Sequence, residues 1–179
     1  MSKQAIINMG KRIFVHGLVD GASGNISVKE GNKILITKSG SFLGGLDEQS
    51  IITVNLGEKT DEASSDYPVH ETIYRKTDFN AVIHCHGVFN VILSLTEDRI
   101  TPLDFEGRII LGEVEIIHGE FGSREYADII AAEIKRSGVV LSKGHGIYSA
   151  GKNLDEAFNR ADYVEHSCKI LYFHKLLKK

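Results

Sequence analysis

The sequence predicts an α/β layer structure. Helical stripes of apolar residues alternate with short β-branched runs along the chain, and the loops between them are brief enough for antiparallel neighbours. A length of 179 residues suits one domain, residues 1–179, and is too short for two well-cored ones. There is no internal repeat, low-complexity tract or linker-like stretch to divide it.

The elements follow in order. Residues 3–18 place Ile6, Ile7, Ile13, Phe14 and Leu18 on one helical stripe, and Gly21 to Gly24 ends it. Strands are expected at 25–28 and 34–37, parted by Glu30-Gly31-Asn32, then a glycine loop from Gly40 to Gly45 and a strand at 51–56. Ser64-Ser65-Asp66-Tyr67-Pro68 opens a helix to about Lys76, with capping-type residues before it and a proline in its first turn. An apolar strand at 80–86 leads to a short helix at 88–95. Residues 109–117 read as a strand around Gly112, and 123–135 as a helix ending at Gly138. Short strands at 139–141 and 146–149 flank Gly144-His145-Gly146. The last helix starts at Asn153, with Glu156 completing a capping-box pattern.

Composition narrows the function classes. Hydrophobic residues make up 42% and charged residues 25%, as in a folded globular chain. Lys plus Arg is 21 against 24 for Asp plus Glu, a net charge of -3, so generic nucleic-acid binding through a basic surface is not expected. No run approaches the roughly 20 apolar residues of a membrane span, and the first residues lack a signal-type apolar core. Cys85 and Cys168 make no disulfide framework, which points to a reducing cytoplasm. The 8 histidines and 18 glycines direct attention to site chemistry.

His84-Cys85-His86 is the most informative tripeptide. In a strand, residues two apart face the same side, so His84 and His86 project together while Cys85 faces the other layer. By itself the pair fits two hydrogen-bonded histidines at a strand end as well as two metal ligands. His145, exposed between two glycines, offers a third nitrogen, and a divalent ion with open positions typically takes three protein ligands. His16, His118, His166 and His174 read as structural. His70, four residues after Asp66 and on the same helical face, is placed to support that carboxylate. Gly24-Asn25, Ser39-Gly40 and Ser64-Ser65 are suited to an anion, because glycines expose backbone N–H groups and a helix start favours negative charge. Each alone reads equally as a turn or a cap. Asp66 is either an N-cap or a catalytic carboxylate.

Taken together and in order, Gly24-Asn25-Ile26-Ser27, Ile36-Thr37-Lys38-Ser39-Gly40, Ser64-Ser65-Asp66 with His70, His84-Cys85-His86 and Gly144-His145-Gly146 resemble the class II aldolase/adducin family. The resemblance implies three α/β/α layers on a central, mainly antiparallel sheet, and a homotetramer with active sites between subunits. It implies Zn2+, or another divalent ion such as Mn2+ or Co2+, on His84, His86 and His145. Gly24, Asn25, Ser39, Gly40, Ser64 and Ser65 would then hold the phosphate of a small sugar-phosphate substrate, and Asp66 would move protons. The implied activity is reversible cleavage of a ketose phosphate to a dihydroxyacetone-phosphate-type fragment and an aldehyde. The alternatives are a 4-epimerase of the L-ribulose-phosphate type, a dehydratase, and a non-catalytic adducin-like interaction domain. Asp66, where the aldolases carry Glu, leans toward the epimerase branch. The short C-terminus, without a tyrosine-bearing tail, leans toward compact aldolases. The stretch 99–112 contains no tyrosine, and Asp104 and Glu106 are its acidic candidates.

Overall fold

The computed structural model describes residues 2–58 and 60–178. Among them, eight strands form one sheet: β1 (Asn25–Glu30), β2 (Lys33–Thr37), β3 (Ile51–Asn55), β4 (Ala81–Cys85), β5 (Arg99–Ile100), β6 (Val114–Ile117), β7 (Val139–Ser142) and β8 (Gly146–Gly151). Their spatial order is β3-β2-β1-β4-β8-β7-β6-β5. Neighbours are antiparallel except β6 and β7, which run parallel and are joined by a crossover helix.

Six α-helices among the described residues cover the sheet: α1 (Lys3–Val15), α2 (Tyr67–Lys76), α3 (Val88–Ser94), α4 (Phe105–Ile110), α5 (Arg124–Ser137) and α6 (Leu154–Leu177). The helices divide between the two faces because alternate strand residues do. Ala81, Ile83 and Cys85 of β4 join the layer formed by α1, α3 and α6, whereas Val82 packs with α2 and α5. Ile83 and Val82 are both fully buried, each contributing about 1.5–3 kcal/mol by leaving water. The expected three-layer arrangement with a mainly antiparallel sheet is what the structure has. No helix among the described residues is long and apolar enough to cross a membrane.

Several expected elements form close to their expected bounds, including α5 and the capped start of α6, and α5 is capped as well. Ser123 accepts from the Tyr126 N–H and Asn153 from the Glu156 N–H. The strand expected at 109–117 is a correction. Ile109 and Ile110 end α4, which starts because the Asp104 carboxylate accepts from the Gly107 N–H at 2.8 Å. Gly112, at φ 64°, then reverses the chain so that only Val114–Ile117 is strand. The two-residue β5 was not expected; it is too short to carry a periodic signal.

Candidate active site

The site is built on one row of the sheet. Asn25 on β1 lies directly opposite His84 on β4, which lies directly opposite Tyr148 on β8. All three side chains point toward the α2–α5 layer, and all three meet Asp66 at the start of α2. Asn25 Nδ2 donates to Asp66 Oδ2 at 2.9 Å, and the Tyr148 hydroxyl donates to Asp66 Oδ1 at 2.8 Å. His84 Nε2 is 3.5 Å from Asp66 Oδ2.

Asp66 occupies the N-cap position of α2, yet its side chain makes no capping bond. The carboxylate is turned inward and is 3% exposed. Burial alone would raise its pKa. The His84 and His70 imidazoles and the hydrogen bonds from Asn25 and Tyr148 outweigh that and hold it below the ordinary aspartate value.

His84, His86 and His145 come together at the end of β4 and the β7–β8 turn. Nε2 of His84 is 2.6 Å from that of His86 and 3.2 Å from that of His145. The turn depends on Gly146, where a Cβ would lie 2.3 Å from the Cys85 carbonyl and 2.6 Å from the His86 ring. His84 Nδ1 lies 2.9 Å from the Ile147 carbonyl oxygen. A carbonyl only accepts, so that contact puts the ring proton on Nδ1 and leaves Nε2 with a free lone pair. Burial pushes the His84 pKa down to about 3 and the His86 pKa down to about 4, and it lowers that of His145 as well. Three neutral imidazoles with clustered nitrogens are the donor set of a metal site, and these three residues are able to hold an ion.

A cavity of about 150 Å³ opens over these nitrogens. Gly24, Asn25, Ser39, Gly40, Ser64 and Ser65 all line it, together with Asp66 and the three histidines. The five dispersed sequence segments therefore meet at one place.

The position of His70 in the sequence suggests support for Asp66, but its hydrogen bond goes elsewhere. Its Nδ1 is 2.6 Å from Ser27 Oγ, which is also 2.7 Å from the Tyr74 hydroxyl. His70 is fully buried, and burial pushes its pKa down to about 4. His16 has a partner the sequence did not reveal, with Nδ1 2.9 Å from Asp162 Oδ1.

Sequence reasoning missed Phe121, whose ring meets His145 edge-on with centroids 5.4 Å apart and which lines the cavity. It also missed Tyr126 and Tyr148. The available signal was a pair of tyrosines in otherwise apolar buried stripes, where each hydroxyl requires a partner.

Fold and site together define a protein of the class II aldolase type. The model for the Class II Aldolase and Adducin N-terminal domain matches residues 4–172, and the chain belongs to that family. It is 33% identical over 183 residues to an L-fuculose phosphate aldolase of Methanocaldococcus jannaschii, covering 100% of each chain. The crystal structure of an L-fuculose-1-phosphate aldolase from Thermus thermophilus superposes with a TM-score of 0.93 at 32% identity, covering 98% of this chain and 94% of that one. A 3-oxo-tetronate 4-phosphate decarboxylase of Haemophilus influenzae is also similar, at 23% identity over 95% of this chain and 86% of that one. The chain stands among the aldolases of the family, which are carbon–carbon lyases.

Proposed function

We propose that the protein is a divalent-metal-dependent aldolase that reversibly cleaves a small ketose phosphate to a dihydroxyacetone-phosphate-type fragment and an aldehyde. The observation that carries this is the meeting of three imidazole nitrogens, one ionised carboxylate and the glycine–serine loops around one cavity. The similarity to L-fuculose phosphate aldolases over the whole chain supports the same activity.

His84, His86 and His145 hold the ion, with zinc the first choice and manganese or cobalt as alternatives. When bound, the ion supplies Lewis acidity toward a substrate carbonyl. The remaining parts belong to the chain itself. Backbone N–H groups at Gly24, Asn25 and Gly40, with the hydroxyls of Ser39, Ser64 and Ser65, receive the phosphate. Asp66 moves the proton. In the cleavage direction it takes the proton from the hydroxyl of the carbon that becomes the aldehyde. The O–H electrons form the new carbonyl as the carbon–carbon bond breaks, and the bond electrons pass into the carbonyl system of the other fragment. Asp66 then returns the proton it holds to that fragment's carbon to complete the product. Its fixed orientation between Asn25 and Tyr148 keeps the carboxylate facing the reacting atoms.

A 4-epimerase of the L-ribulose-phosphate type is the second reading, favoured by aspartate rather than glutamate at residue 66. Metal-loaded protein incubated with ketose phosphates separates the two: aldehyde release supports the aldolase, and isomer formation without free aldehyde supports the epimerase. Neither product, in the absence of bound metal, would favour an adducin-like interaction domain.

Residues 1–179 are proposed as one domain that assembles as a homotetramer in the cytoplasm. Exposed Val88, Phe105, Ile109 and Leu177 supply apolar surface for assembly, and the two buried, free cysteines suit a reducing compartment. Sedimentation equilibrium tests the assembly, and a monomer at micromolar concentration would reject it.

A further inference from the structure

We propose that Tyr126 and Tyr148 are positioning residues of this centre, joined in one buried hydroxyl chain that fixes His145 at one end and Asp66 at the other. The inference rests on the proposal that His145 is a metal ligand.

The Tyr126 hydroxyl has one proton and two hydroxyl acceptors, Ser142 Oγ at 2.8 Å and the Tyr148 oxygen at 3.4 Å. With that proton given to a hydroxyl, the Tyr126 oxygen is left to accept from the imidazole. His145 Nδ1 lies 3.2 Å away and is the donor that fits. That places the His145 ring proton on Nδ1 and leaves Nε2 unprotonated, facing the other two histidines. The arrangement parallels His84, whose Nδ1 is held by the Ile147 carbonyl. The two tyrosine oxygens are 3.4 Å apart, and Tyr148 donates onward to Asp66. The Tyr148 ring is stacked on His84, with centroids 4.0 Å apart and planes 12° from parallel. Apart from the bond to Ser142 and the contact between the two hydroxyls, each polar contact of this pair therefore ends on a proposed ligand or the proposed base.

Packing alone does not call for these hydroxyls. Tyr126 is 1% exposed and Tyr148 0%, both within an apolar layer of Ile, Val and Ala side chains. Phenylalanine would fill the same space without two phenol groups to satisfy. Tyr126 reaches His145 from the first turn of α5, where Ser123 caps the helix and fixes its start. Tyr148 reaches Asp66 from the row of the sheet that carries His84.

The test measures zinc affinity of the full chain by competition with a chromogenic chelator, beside the thermal midpoint of the metal-free protein. Tyr126→Phe is expected to weaken zinc binding about 10- to 100-fold, the usual scale for losing a group that orients a metal-bound histidine. Tyr148→Phe keeps the stacked ring and is expected to lower kcat with little change in KM. If Tyr126→Phe does not fold, the tautomer of His145 in the metal-free wild type, read by 15N NMR, tests the same contact: a proton on Nδ1 is expected. Wild-type zinc affinity in Tyr126→Phe, or a proton on Nε2 rather than Nδ1 of His145, would overturn the positioning role of Tyr126. Unchanged kcat in Tyr148→Phe would overturn that of Tyr148. His145→Ala is the control: if it binds zinc as wild type does, the metal assignment itself fails and the inference falls with it.

Discussion

Asn25 and His84 are direct cross-strand partners, and both face the same carboxylate oxygen, Oδ2 of Asp66. A helix residue and two adjacent strands are thus tied at one atom. The strand ladder sets the distance between donor and imidazole, and α2 brings the acceptor to them. On the proposed function the reaction depends on this join, and substitutions around it have defined expected outcomes.

Replacing His86 with Ala should remove one of three nitrogens and most of the bound ion, while the protein stays folded. Elemental analysis of the purified variant checks this. Metal content equal to wild type would reject His86 as a ligand. Removing the metal from the wild type with a chelator should abolish turnover and lower the thermal midpoint, because an ion that binds only the folded state stabilises it by about 2.7 kcal/mol at a hundred times its dissociation constant.

Asp66→Asn should lower turnover by on the order of 100-fold or more. The side chain makes no capping bond to α2, so the loss cannot come from the helix end. One amide hydrogen would face a donor from Asn25 or Tyr148, so a stability loss of about 1–3 kcal/mol is expected beside the kinetic one. Steady-state kinetics and urea unfolding measure the two effects separately. Turnover within about threefold of wild type, the margin allowed against an acid–base residue, would return proton transfer to another group.

Ser65→Ala should act mainly on substrate binding, weakening it by about 1–3 kcal/mol through an anion that loses a donor. The phosphate ester should be processed far better than the free sugar. Equal kcat/KM on the two would show that the serine and glycine loops do not hold a phosphate.

Stability of the metal-free protein should fall as pH drops below about 6.5, the ordinary histidine value. His70, His84 and His86 have folded-state pKa values pushed down to about 4, about 3 and about 4 by burial. Between those values and 6.5 the unfolded chain binds more protons than the folded one, so stability rises with pH across that window. The slope is at most about 1.4 kcal/mol per pH unit for each such histidine. Asp66 acts in the same direction but only at lower pH, because its pKa is lowered from the ordinary aspartate value and its contribution is lost below that value. Urea titrations of the metal-free protein at pH 7, 6 and 5 measure the slope, and a flat profile would contradict burial of neutral imidazoles.

Much of this is legible in the sequence because it depends on local periodicity. The two-residue period of a strand puts His84 and His86 on one side, and the Gly144 and Gly146 flanks mark His145 as the tip of a turn. The Asn153 cap is readable for the same reason: its partner lies three residues away. What stays hidden depends on register between distant segments. Ser27 as the partner of His70 follows from how α2 lies against β1, and Tyr148 opposite His84 from how β4 and β8 align. The end of α4 misleads because Ile109 and Ile110 make an apolar, β-branched run. The deciding contact, Asp104 to the Gly107 N–H, lies in a stretch whose acidic residues invite a catalytic reading instead.

The parallel step from β6 to β7 has a consequence for how this scaffold diversifies. The chain that leaves β6 must pass over the sheet before α5 brings it back, and Phe121 in that passage forms part of the cavity wall. Asn25, His84 and Tyr148 are anchored within the sheet, and a change at His84 disturbs partners on both adjacent strands. Residues 118–122 lie outside the strands and helices, and Phe121 meets the site through ring contacts with His145 and Tyr126. On the proposed function, preference for one aldehyde over another can drift by changes in this short connection while the proposed metal ligands and base beneath it stay in place.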